Sequence, residues 1–181
     1  MQRCSKLMLC CIIFLGNFFG LMLGGAGGSY LYRKDRRFPA ILAGATSIAA
    51  CFPFWFLINI DKSLSSSPVV WVGSSLLGFL SGATGPIVKA TLQNVTLPQA
   101  RGQAFALFNT FDDFGRGLGP VFVSSLIVNL GGRQPAFNAG VFGWVLCGIF
   151  NILISLTVVK DEEHIQIQVS AQLSSRAHSN D

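Results

Sequence analysis

The feature that most constrains this chain is a series of apolar blocks, each about as long as a bilayer is thick. The blocks cover residues 7–31, 39–60, 68–92, 102–130 and 135–159. A transmembrane helix needs about 20 apolar residues to cross a hydrocarbon core of about 30 Å. An open sheet is excluded in lipid because its edge groups would lack hydrogen-bond partners. The sequence therefore predicts an all-α membrane protein, a five-helix transmembrane bundle over residues 1–160 that contacts the lipid bilayer.

Composition and punctuation agree with this prediction. The chain is 51% hydrophobic and only 12% charged, whereas soluble domains carry about 25% charged residues. Prolines stand at or just before the start of four blocks, where a helix tolerates them: Pro39, Pro68, Pro98 and Pro135. Because the links between blocks are short, consecutive helices are expected to be antiparallel neighbours.

Basic residues in the links predict the orientation. The first link, "RKDRR", holds four basic residues around Asp35, and the positive-inside rule makes it cytoplasmic. Alternation then places the polar tail, residues 161–181, on the same side, where its composition favours a disordered extension. Arg3 and Lys6 oppose this orientation, and a cleaved signal peptide over residues 1–28 is a rival interpretation.

Glycine recurs every fourth residue along the first block, at Gly16, Gly20, Gly24 and Gly28. This spacing places the glycines on one stripe of a helix, which lets a second backbone approach closely. The alternative interpretation is that glycine is simply common in membrane helices.

Several classes of function lack residues to carry them. The five cysteines have no metal-ligand spacing, and His164 and His178 both lie in the tail, so neither a metal site nor a nucleophilic catalytic site is predicted. We therefore expect no enzyme activity, no catalytic residues and no cofactor. The net charge of +5 comes from the loops and does not require a nucleic acid partner. The "NVT" sequence at Asn94 lies on the predicted cytoplasmic side, so we expect no glycosylation there.

The segment "GSYLYRKDRR" resembles the signature loop of the major facilitator superfamily, which has a glycine, an acidic–basic pair, a second glycine and two basic residues. The matching positions are Gly28, Arg33, Arg36 and Arg37. Tyr32 stands where the pattern has an aspartate, and Asp35 stands where it has a glycine. These departures resemble the second, decayed copy of the motif, between helices eight and nine.

In that register the five blocks are similar to helices eight to twelve, and the "ARG" and "GLGP" of the fourth block resemble Spinster-like members. The resemblance implies that the chain is the C-terminal part of a twelve-helix secondary transporter and lacks the first half and the seventh helix. It also implies alternating access around a site near the bilayer midplane.

Charged residues interrupt the fourth block at Asp112, Asp113 and Arg116. An ionisable group inside a bilayer is costly and usually pairs or faces a water-filled path, so the carboxylates are candidates for proton or substrate binding. The alternative is a structural ion pair, since Arg116 can reach either aspartate at a spacing of three or four residues. Lys89 either snorkels to the interface or reaches one of these aspartates.

Glycine and proline mark two candidate bending points, Gly85 with Pro86 in the third block and Gly119 with Pro120 in the fourth. The resemblance implies that such points bend as the transport cavity opens and closes. Close helix packing by glycine is the other interpretation.

The sequence therefore predicts part of a multi-pass secondary transporter for an unidentified small organic solute. Its expected partners are that solute, the lipid bilayer, and the missing N-terminal half or another helical bundle. The alternative function is a truncated, non-transporting membrane protein that only packs against other helices.

The predicted topology can be tested by labelling. Single cysteines at Ser66 and Ser174 should react with a membrane-impermeant reagent from opposite faces, because the five-span prediction puts the second link outside and the tail inside. Labelling of both positions from one face would contradict the prediction.

Overall fold

The computed structural model describes residues 2–60 and 67–179, with side chains for residues 8–60, 67–172 and 174. Within these ranges the chain forms five helices and no strand: α1 Gln2–Tyr32, α2 Phe38–Asn59, α3 Pro68–Asn94, α4 Arg101–Asn129 and α5 Arg133–Ser179. The predicted all-α bundle is confirmed. Residues 61–66, most of the "DKSLSSS" link, lie outside the described residues.

The α1–α3 contact is made through backbone rather than through large side chains. A Cβ atom at Gly16 or Gly24 would lie 2.5 Å from backbone atoms of Ser75 or Ala83 on α3, so neither position has room for any side chain. Gly20 faces Phe79 and Gly28 faces Ile87 in the same series. Because both sets of positions rise together in steps of four, α1 and α3 run parallel. The stripe predicted from the sequence is therefore a packing surface.

Helix α3 returns the contact with glycines of its own. Gly78 abuts the backbone of Ile13, and Gly82 abuts the backbone of Asn17. The two backbones thus interlock, each supplying glycines where the other comes closest. Dispersion contacts of this kind drive helix association in lipid, where burial of apolar surface offers no gain over acyl chains.

Helix α2 joins this pair to α5. Its Thr46 and Ser47 hydroxyls lie 3.2 and 3.3 Å from the Thr84 hydroxyl of α3. On its other side, a Cβ at Gly148 of α5 would lie 3.1 Å from the carbonyl oxygen of Gly44. Small and hydroxylated residues thus form both interfaces of α2, as is usual between membrane helices.

An amide cluster closes the α2–α5 interface at the end of α2. Gln134 Nε2 donates to Asn59 Oδ1 over 2.8 Å, and Asn59 Nδ2 donates to Asn138 Oδ1 over 3.0 Å. These three amides hold the last turn of α2 against the first turns of α5.

The order of neighbours differs from the expectation that consecutive helices pack together. α1 packs mainly on α3 and only slightly on α2, and α4 touches α3 and α5 lightly. The glycine stripe explains the first difference, because it fits α1 to the matching glycines of α3. α4 has no buried residue along its whole length.

Four helices, α1, α2, α3 and α5, are long and apolar enough to cross a membrane, judged by length and composition alone. α4 is not among them, because every 18-residue stretch of it contains Asp112, Asp113 and Arg116. The fifth span therefore stays a prediction.

The tail differs from the predicted disordered extension, because α5 continues as one helix to Ser179, 47 residues in all. No glycine or proline interrupts residues 160–179, and Glu, Gln, Ala and Leu there favour a helix. Ile165 and Val169, four residues apart, are partly covered while Ile167 is 66% exposed, so one face of this extension lies against the bundle.

The glycine contact predicts that the effect of a Gly→Ala substitution on stability depends strongly on its position along α1. Gly20→Ala or Gly24→Ala should lower the stability of the detergent-solubilised protein by about 1–3 kcal/mol, the usual cost of overpacking, because the new methyl group meets the α3 backbone. Thermal unfolding followed by circular dichroism measures the change.

Gly27→Ala is the matched control on the same helix, since nothing lies within 4 Å of a Cβ at that position. It should leave stability unchanged or raise it slightly, because alanine is the better helix former. Leu153→Ala on α5, at a side chain 48% exposed, should also be tolerated. Equal unfolding temperatures for all four variants would contradict the packing described here.

Candidate functional site

The signature-loop residues gather at one end of the bundle, which we call the basic end. It comprises the α1–α2 link, the last turns of α3, the first turn of α4, and α5 around Glu162. A cavity of 520 Å³ opens there, within the range of about 300–1,000 Å³ for ligand sites. Gly28, Arg33 and Arg36 line it beside the apolar Pro86, Ile87 and Val158.

A single buried carboxylate organises this end. Glu162 of α5 is only 2% exposed, and its Oε1 accepts hydrogen bonds from the Tyr32 hydroxyl and from Gln166 Nε2. Arg36 Nε lies 3.8 Å from the same oxygen. A buried charge is retained only when it is paired and hydrogen bonded, so the tyrosine and the arginine together hold this carboxylate in place.

Local geometry presents Arg36 to Glu162. The α1–α2 link is a tight turn in which the amide groups of Lys34 and Asp35 both donate to the Leu31 carbonyl. Asp35 Oδ1 in turn accepts the backbone N–H of Arg37 over 2.9 Å. Arg36 thereby reaches Glu162 of α5, while Arg37 stays exposed.

The two residues that depart from the signature pattern, Tyr32 and Asp35, both make hydrogen bonds in the structure. Tyr32 stands where the pattern has an aspartate and reaches the carboxylate of α5 through its hydroxyl. Asp35, in a glycine position, acts within the turn as a local acceptor. The loop therefore keeps its connection to a carboxylate, which is supplied by a different helix.

Glu162 is the residue of this candidate site that the sequence pattern does not single out. It closely follows the last apolar block, so composition places it in the polar tail. One feature of the sequence does point to Glu162. Tyr32 stands in the aspartate position, so the loop lacks that acidic residue and Arg36 requires a carboxylate from another segment. "KDEEH" is the nearest acidic run to the end of a predicted span.

The second set of predicted residues lies on α4. Asp112 Oδ2 and Arg116 Nη2 are 2.9 Å apart, one helical turn from each other. The Arg116 side chain is 75% exposed, so this pair is not enclosed by the described part of the chain. Asp113 is exposed and makes no ion pair or side-chain hydrogen bond with the residues described. The three groups therefore carry one net negative charge on an open face.

Lys89 and the two glycine–proline pairs, which the sequence also singled out, lie outside this group of charged residues. Lys89 is exposed on α3 and forms no ion pair within the described residues. Its contact with an aspartate is absent from this arrangement, and snorkelling stays a prediction. α3 and α4 run through Pro86 and Pro120 as single helices. A Cβ at Gly85 or Gly119 would meet nothing within 4 Å, so close packing within this bundle does not account for either glycine.

Comparison with known proteins bears on the first four helices. The family model described as Major Facilitator Superfamily matches residues 4–120, which is well over half of the chain and covers α1, α2, α3 and most of α4. No curated protein and no solved structure matches the chain. Together, the family match, the four apolar helices and the basic loop joining α1 to α2 identify the fold, and the chain belongs to the Major Facilitator Superfamily.

Proposed function

We propose that this chain is the C-terminal part of a secondary active transporter that moves a small organic solute by alternating access. In this proposal α1 to α5 correspond to helices eight to twelve, and the partner bundle is an N-terminal half. Members of this family are transporters rather than enzymes. The similarity of α4 to Spinster-like members in its "ARG" and "GLGP" stretches favours that subgroup.

The observation that carries the proposal is the contrast between α4 and the other helices. α1, α2, α3 and α5 bury glycine, alanine and hydroxyl groups against one another, whereas α4 buries nothing and bears three ionisable groups near its middle. Ionisable residues at membrane depth face a water-filled cavity or a bundle interior. We infer that α4 faces the transport pathway and the second half of the transporter.

We infer different roles for the two aspartates of α4 because only one of them is paired with Arg116. Arg116 neutralises Asp112 at 2.9 Å, which leaves Asp113 as the group able to take up a proton or to bind a cationic part of the solute. A carboxylate that is paired in one state and open in another can couple a proton to solute movement, because its protonation changes the cost of enclosing it.

A second candidate function is a membrane protein that packs against another helical bundle without transporting anything. Its support is the pair Gly115 and Gly119 on α4, four residues apart on one face, where a Cβ would meet nothing within 4 Å. The packed stripe on α1 has the same spacing and contacts a second helix. Measurement of flux separates the two candidates.

The test is solute flux under an imposed pH gradient. A full-length facilitator in which residues 1–181 of this chain replace helices eight to twelve is reconstituted in vesicles that enclose a pH-sensitive dye. A panel of small organic solutes is then screened for solute-dependent proton entry. We expect Asp113→Asn to abolish gradient-driven uptake, because the amide, unlike the carboxylate, does not take up and release a proton.

Asp112→Asn and a triple variant with apolar residues at Asp112, Asp113 and Arg116 complete the series. The triple variant should fold, because none of the three side chains is buried among the described residues, but it should not couple to protons. Lys89→Gln is the matched control, because its exposed side chain has no ion pair. Unchanged gradient-driven flux in every variant would contradict the coupling role, and no flux for any solute would favour the second candidate.

A further inference from the structure

A second cavity, of 300 Å³, lies at the basic end on the other side of Glu162. It separates the α5 extension from the link that leads into α4. Its lining includes Tyr32, Asn94, Pro98, Arg101, Glu162 and Gln166.

Two side chains of opposite charge line this cavity, and each has one buried atom without a hydrogen-bond partner among the described residues. Glu162 uses Oε1 for all its contacts, and its Oε2 is buried with no hydrogen-bond partner among the described residues. Arg101 Nε is likewise buried and unpaired within that part of the chain. A buried polar atom without a partner is costly, and more so when the group is charged. Arg101 Nε is a donor without an acceptor, and Glu162 Oε2 is an acceptor without a donor.

The position of Arg101 at the start of α4 is a second reason for a carboxylate to be favoured there. It is the first residue of α4, and no side chain caps that helix. The N-terminus of a helix carries partial positive charge and unpaired N–H groups, so a cation there is unfavourable and a carboxylate is favourable. The free oxygen of Glu162 satisfies both demands if the start of α4 approaches α5.

The attachment of α4 permits such an approach. None of its residues is buried, so little packing opposes a change in its position. The preceding link is held beside α5 by Gln99 Nε2, which donates to Gln172 Oε1 over 3.2 Å. Gln99 lies two residues before Arg101, so a small backbone rotation at Ala100, between them, moves Arg101 without separating Gln99 from α5.

We propose that the basic end closes by pairing Arg101 with Glu162. In the open arrangement of this structure the 300 Å³ cavity separates the two groups. In the closed arrangement the guanidinium group donates to Oε2, the N-terminus of α4 gains a carboxylate, and the cavity is lost. Glu162 then joins three elements, since Oε1 continues to accept from Tyr32 on α1.

This proposal concerns the relative position of two helices and does not rest on the proposed function. A distance measurement tests it in the absence of any solute, and a flux measurement leaves it untouched.

The test uses the whole chain in lipid vesicles, with the native cysteines replaced by alanine and spin labels at Gln103 on α4 and Gln168 on α5. Both side chains are exposed, so the labels disturb no contact. Pulsed electron resonance should give two distance populations, the shorter one representing the closed arrangement. Arg101→Gln and Glu162→Gln should each remove the shorter population, and Arg101→Lys should retain it.

Arg33→Gln is the matched control. It removes the same charge from the same end of the bundle, but Arg33 lines the larger cavity only and has no ion pair among the described residues. Its distance distribution should equal that of the unmutated background. Circular dichroism confirms that every variant keeps its helical content. A single population in the background protein, or an unchanged distribution in Arg101→Gln, would overturn the proposal.

Discussion

The close approach of the α1 and α3 backbones is the contact on which the rest of the bundle depends. Gly16, Gly20 and Gly24 leave no room for a side chain against α3, and Gly78 and Gly82 return the contact from the other helix. In lipid, apolar burial gives no preference for protein over acyl chains, so close backbone packing must hold the helices together. Because the two helices run parallel, their ends meet at the same end of the bundle. The α1–α2 link therefore lies beside the last turns of α3 and the cavity they share.

From this pair the packing continues through α2 to α5 and stops at α4. The α2 interfaces use small and hydroxylated residues, with amide side chains at the end of the helix. α4 has neither a glycine contact nor a buried side chain, although it is the helix with the most charge near its middle. A helix of this kind is stable in a membrane only where other groups or water meet its charges. Because the described bundle buries no residue of α4, whatever meets its charged side chains, either water or another helix, determines what those side chains do.

Glu162 links the two ends of the chain. Its hydrogen bond to Tyr32 spans 130 residues, and the arginine beside it comes from the loop that carries the family signature. An acid on α5 replaces the acid that the signature loop lacks. The same carboxylate keeps one oxygen unpaired on the side that faces Arg101. The basic end therefore joins α1 and the loop to the α5 extension through one side chain, and the proposed closure would add the start of α4.

The sequence by itself determined the helices. Apolar length, proline positions and turn residues predict five helices, and the bounds of α2, α3 and α4 agree within two residues, because helix formation depends on neighbours along the chain. It also indicated the glycine stripe and the Asp112–Arg116 pair, whose spacing lies within one helix. Only the tertiary structure decided which helices touch, that α5 remains helical beyond Lys160, and that Glu162 meets Tyr32 and Arg36. These features depend on residues far apart in the chain, and no local pattern ranks one helix pairing above another until the surfaces are fitted together in space.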